Sequence, residues 1–130
     1  MIIRKLKDCP EITAGDGSAL REIFHPARGG FPFRYSLARA VVAPGRRTRP
    51  HRLRSSEVYY ILEGRGVMHV GGEAAPVEAG DAVSIPPFEV QSIENTGGAP
   101  LAFLCLVDPA WTPEGEDVLP EVDAGAAKTR

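Results

Sequence analysis

Short apolar runs alternate with glycine- and proline-rich breaks along the whole chain. The runs are "YSLARAVVA" (35–43), "EVYYILE" (57–63), "GVMHV" (66–70), "DAVSI" (81–85), "EVQSIEN" (89–95) and "LAFLCLV" (101–107). Each has strand length and is rich in branched or aromatic residues. Between them stand Gly29-Gly30, Pro44-Gly45, Gly64, Gly66, Gly71-Gly72, Gly80, Pro86-Pro87, Gly97-Gly98 and Pro109, which punctuate the pattern as turns. No stretch sustains the 3.6-residue apolar period of a helical bundle. The pattern predicts an all-β sandwich or barrel. Residues 18–25, "SALREIFH", read as a short helix after Asp16 or a first strand, with the strand preferred.

The chain has 130 residues, 43% of them hydrophobic, enough for one domain with a core and too few for two. Fifteen basic residues against seventeen acidic ones give a net charge of -2. That total calls for neither nucleic acid nor an anionic membrane as partner. Arg46, Arg47, Arg49, Arg52 and Arg54 crowd one stretch, read as a solvated loop, whereas residues 113–130 are acidic and then small and polar. The division expected is a barrel domain over 1–112 and a flexible acidic tail over 113–130. "MIIRKLKDCP" lacks an apolar signal core and no run has the length of a bilayer span, so the expected location is cytoplasmic. Cys9 and Cys105 are then thiols.

Strand alternation places His51, Leu53, Ser55, Glu57, Tyr59 and Ile61 on one face, and Tyr59 and Ile61 mark it as the interior. Arg52 and Arg54 then point outward. A buried Glu57 needs a cation, a metal or hydrogen-bond donors. In "EVQSIEN" the same alternation groups Glu89, Gln91 and Ile93, making Gln91 a candidate for the same interior. His69 is expected to face solvent, and His25, beside Pro26, to be structural, although it could reach the barrel as a substitute ligand. Tyr59 is a candidate proton or hydrogen-bond donor, Cys105 a small buried hydrophobe. Trp111 could close a barrel end or a dimer contact.

From Gly45 there are five residues to His51, then Glu57, then six residues to Gly64; from Gly80 there are five to Pro86, with Asn95 at the end. Over residues 35–108 this resembles the two motifs of the cupin superfamily, G-x5-H-x-H-x3-E-x6-G and G-x5-P-x-G-x2-H-x3-N. The resemblance implies a single-domain jelly-roll barrel, a double-stranded β-helix. In small cupins this barrel holds a divalent metal on three histidines and a glutamate. Carried over by position, His51 and Glu57 match, Leu53 stands for the second histidine, Gln91 for the third and Phe88 for the second motif's glycine.

Two functional readings follow. In the first, His51, Glu57 and Gln91 hold a divalent metal (Fe, Mn, Ni or Zn), and Glu57 and Tyr59 act on a small oxygen-chelating metabolite, isomerase-like or dioxygenase-like by family analogy. In the second, the barrel is a metal-free small-ligand module, with Gln91 bonded to Glu57. A homodimer formed by pairing of sheets is expected in both.

Overall fold

Branched and aromatic residues pack well on a pleated surface, and the turn residues between the runs let each strand fold back on its neighbour. The computed structural model describes residues 1–120. Its strands are β1 (Glu11–Thr13), β2 (Ala19–Phe24), β3 (Ser36–Val42), β4 (His51–Leu53), β5 (Ser56–Glu63), β6 (Arg65–Val70), β7 (Glu73–Glu78), β8 (Ala82–Ile85), β9 (Gln91–Asn95), β10 (Leu101–Asp108) and β11 (Glu116–Val118). They form a six-stranded sheet ordered β1-β2-β3-β10-β5-β8 and a five-stranded sheet ordered β11-β4-β9-β6-β7. The fold is the all-β jelly-roll barrel that the sequence implies. Among the described residues no helix is long and apolar enough to cross a membrane.

The core lies between the sheets. Ala40, Tyr59, Ile61 and Phe103 from the larger sheet meet Met68, Val77 and Ile93 from the smaller one. Burial alternates along β5, with Glu57, Tyr59 and Ile61 inward and Val58, Tyr60 and Leu62 exposed. The same alternation runs back through His51 and Leu53, both buried, while Arg52 and Arg54 are exposed. Residues 19–24 form a strand, β2, as preferred. Glu89 departs from expectation: it precedes β9 and is exposed, because the strand begins only at Gln91. His69 is half-buried rather than open to solvent.

The acidic segment expected to be flexible from residue 113 instead forms a 3-10 turn (Pro113–Gly115) and β11, which pairs with β4 as Glu116↔Leu53, Asp117↔Arg52 and Val118↔His51. Backbone bonds hold it, the Leu119 amide donating to the Pro50 carbonyl and the Arg54 amide to the Gly115 carbonyl, both at 2.9 Å, and the arginine cluster adds to them. Arg52 Nε lies 3.2 Å from Asp117 Oδ2, and Arg49 Nη2 donates to the Leu119 carbonyl at 3.1 Å. Residues 121–130, the rest of the expected tail, lie outside the described residues.

Two motif positions show what glycine supplies. Gly64 has φ +85°, and a Cβ there would come within 2.5 Å of the Pro100 carbonyl oxygen, so the β5–β6 turn needs a residue without a side chain. At the second motif's glycine position Phe88 keeps the left-handed backbone, φ 69°, and the residue is 65% exposed. A bulky side chain in that region costs about 1–2 kcal/mol, offset in part by its lower unfolded-state entropy. Phe88→Gly should therefore raise stability by about 0.5–1 kcal/mol, read as a higher urea midpoint with an unchanged slope. A lower midpoint would show that the exposed ring makes a compensating contact.

Candidate functional site

Asp16, His51, Glu57 and Glu116 come from four separate segments to the lining of one cavity of about 580 Å³. Its apolar walls include Leu20, Ala38, Ala40, Leu53 and Val107. His51, at the start of β4, is 3% exposed. Its Nδ1 lies 2.9 Å from the Arg49 carbonyl oxygen. A carbonyl only accepts, so Nδ1 carries a proton and Nε2 is the nitrogen left for the cavity.

The nearest acid to that nitrogen is Asp16, whose Oδ2 is 3.8 Å from His51 Nε2. Asp16 sits in the β1–β2 turn, where Oδ1 accepts from the Ser18 amide at 2.9 Å and the Ser18 hydroxyl at 2.7 Å. The Asp16 carbonyl also accepts from the Arg49 amide at 2.7 Å. One hydrogen-bonded chain through Arg49 thus fixes the turn against the histidine. Asp16 and Glu116 were not among the sequence candidates. Nothing in the local pattern marks either one, because turn and strand pairing alone bring them to the cavity.

On β5, Glu57 is 6% exposed and accepts from Gln91 Nε2 at 2.9 Å. Burial pushes its carboxyl up from 4.5 to about 8; the Gln91 hydrogen bond opposes this, and Asp16 and Glu116 add to it. Desolvation outweighs one neutral donor because a charge inside the barrel lacks the shell of water that stabilises it outside. Burial likewise raises Glu116, against the pull of His51, and Asp16 adds to the rise. Tyr59 is stacked on Phe103 at 4.5 Å between centroids, and burial drives its phenol well above 10.0. Tyr59 therefore keeps its hydroxyl proton near neutral pH and is not a phenolate base there. Cys105, on the cavity wall, is a buried thiol raised well above its ordinary range.

His25 takes no part in the site. Its Nδ1 accepts from the Ala27 amide at 3.1 Å and its Nε2 donates to the Trp111 carbonyl at 2.6 Å, so both ring nitrogens are engaged. Trp111 itself lines the cavity.

A metal ion needs donors converging on one point at about 2.0–2.2 Å. Gln91 is brought to Glu57, but it offers its nitrogen; its Oε1 is buried without a partner, and Gln91 does not line the cavity. Leu53 presents a buried apolar wall. Among the described residues no three His, Cys, Asp or Glu side chains gather closely enough to hold a metal ion. As arranged, His51, Glu57 and Gln91 do not form a metal cage.

The family model described as Cupin domain matches residues 38–107. The chain belongs to the cupin family. An uncharacterized protein of Methanocaldococcus jannaschii is 42% identical to this cupin over 113 residues, covering 85% of this chain and 87% of that protein. An oxalate-binding protein of Thermotoga maritima is 41% identical over 72 residues, 55% of this chain and 60% of that protein. Among solved structures, a predicted oxalate decarboxylase of Thermotoga maritima superposes with a TM-score of 0.70 at 28% identity, covering 82% of this chain and 97% of that one. The matched segment of this cupin contains His51, Glu57 and Gln91 and excludes Asp16 and Glu116.

Proposed function

We propose that this cupin binds a small molecule in its barrel cavity, held by Asp16, His51, Glu57 and Glu116, with no metal required. The observation that carries this reading is the cavity itself: about 580 Å³ of space lined by apolar walls and by polar groups of several elements. Such an arrangement is the ordinary form of a small-ligand site. Similarity to an oxalate-binding protein supports a ligand-binding role, yet a dianion would meet the carboxyl groups of Asp16, Glu57 and Glu116 without an intervening cation. With its carboxyl titrating at about 8, Glu57 is also placed to give or take a proton near neutral pH, which an isomerase-type reaction would use.

One observation favours the metal-bound alternative. The His51 tautomer, Nδ1–H on a backbone carbonyl and Nε2 toward the cavity, is the one a metal-ligating histidine adopts. In that form His51 and Glu57 would hold the ion, and the ion would supply Lewis-acid polarisation of a chelating oxygen.

Elemental analysis by inductively coupled plasma mass spectrometry on tag-free protein separates the two. The expected result is metal far below one per chain, together with fragment hits by ligand-observed NMR that disappear in Ala38→Leu, where the added carbons enter the cavity. Near-stoichiometric metal that is lost in Glu57→Ala would replace this reading by the metal-bound one. Fragment binding untouched by Ala38→Leu would place the site elsewhere.

A further inference from the structure

The cavity has a charge asymmetry that neither the barrel nor the motifs require. Asp16 is 8% exposed and Glu57 6%, and Glu116 on β11 is half-buried, all three lining the same space. Among the described residues, none of these carboxyl groups has a lysine or arginine within ion-pair distance. The near basic group is His51, 3.8 Å from Asp16 Oδ2. Arg4 and Arg28 also line the cavity, but both are exposed; Arg28 is held by Glu22 at 2.6 Å and Arg4 lies over the Phe24 and Phe31 rings. A second observation points to a ligand. His51 is 97% buried, yet its Nε2 has no hydrogen-bond partner in the protein and is not one of the fully enclosed orphan atoms, so it opens onto the cavity.

We infer that the cavity accepts, beside Asp16 and His51, the ammonium group of a primary amine whose compact apolar body lies against Leu20, Ala38, Ala40, Leu53 and Val107. The inference rests on the cavity being a ligand site, and it adds the chemical class of the ligand. An ammonium has three donors and no acceptor, and each donor reaches an oxygen at about 2.8–3.0 Å. The 3.8 Å between Asp16 Oδ2 and His51 Nε2 leaves room for a nitrogen at hydrogen-bond distance from both, whereas a metal ion needs its donors at about 2.0–2.2 Å. His51 Nε2, as a lone pair, is a further acceptor for the same group. Charge-assisted bonds to carboxylates in a partly desolvated space are the strong kind, and the apolar walls exclude the water that would weaken them.

The test is isothermal titration calorimetry on EDTA-treated full-length protein with three probes of one shape: 2-phenylethylamine, 2-phenylethanol and phenylacetate. The expected order is amine at least tenfold tighter than alcohol, with phenylacetate not bound. Asp16→Asn and Glu116→Gln should each weaken the amine by fivefold or more and narrow its lead over the alcohol. Asn keeps the Oδ1 acceptor of the Ser18 turn, and Glu116→Gln serves if Asp16→Asn fails to fold. Equal affinity for amine and alcohol overturns the inference while the cavity reading stands. Amine binding that persists in both variants, or that needs added Zn²⁺ or Mn²⁺, also overturns it. If none of the probes binds while the NMR fragments still do, the amine is wrong and the cavity right; if nothing binds, both fall.

Discussion

Glu57→Gln should make this cupin more stable at neutral pH, by on the order of 3 kcal/mol at pH 7. The carboxyl titrates at about 8 in the folded chain against 4.5 as its ordinary value. A folded-state value above the unfolded one means that the folded protein holds the proton more tightly. The stability this confers is complete below about pH 4.5 and declines as pH rises toward 8, with a total loss of about 5 kcal/mol above that. Gln has the same shape and does not ionise. Its amide can also donate to the buried Gln91 Oε1, which has no partner in the wild type. Thermal denaturation from pH 5 to pH 9 should show a wild-type curve that falls and a Glu57→Gln curve without that fall, the gap opening to roughly 15–20 °C at pH 9. A wild type more stable than the variant at pH 8 would mean that a cation sits beside Glu57, which is the metal-bound reading.

Asn95→Ala should cost roughly 3 kcal/mol or more. Asn95 is 1% exposed; its Nδ2 donates to the Val42 carbonyl at 2.9 Å and the Ala99 carbonyl at 2.8 Å, and its Oδ1 accepts from the Gly97 amide at 2.9 Å. One side chain thereby joins the end of β3 to the β9–β10 turn. Alanine leaves two carbonyls and an amide short of a partner, and a buried polar group without one costs about 1–3 kcal/mol. The expected reading is a melting temperature lower by roughly 10 °C. Asn95→Asp, which keeps the Gly97 acceptor and loses both donors, should recover only part of the difference. A variant within a degree of wild type would show that water takes over these bonds.

Asn95 and Glu57 were both legible in the sequence for a shared reason. Each occupies a fixed offset from turn glycines, and the barrel repeats those offsets because strand length and turn geometry set them. The six apolar runs were legible because each carries branched or aromatic residues into the core, with alternate burial along β5 and consecutive burial in β9 and β10. β7 was not, since "EAAPVE" lies at a sheet edge with Val77 as its one buried residue and Pro76 in its middle; an edge strand needs neither an apolar face nor every amide. β11 was hidden for a different reason. "EDV" pairs with β4 through charge and backbone, and its partner arginines read as solvated when taken alone. The site followed the same division, with His51 and Glu57 visible in the motif while Asp16 and Glu116 depend on which strands happen to lie side by side. Gln91 was placed correctly, beside Glu57, but a sequence does not show which end of an amide faces its neighbour.

The β1–β2 turn and β11 flank the motif-bearing barrel, one carrying Asp16 and the other Glu116. Neither belongs to the core cluster, and each is fastened by a few bonds to the stretch around Arg49 and Arg52. If Asp16 and Glu116 hold the ligand as proposed, scaffold and selectivity are separable parts. On the proposed reading, exchanging these two short segments should change which molecules bind while the core cluster between the sheets is kept, so the barrel would act as a socket whose fitting can be replaced.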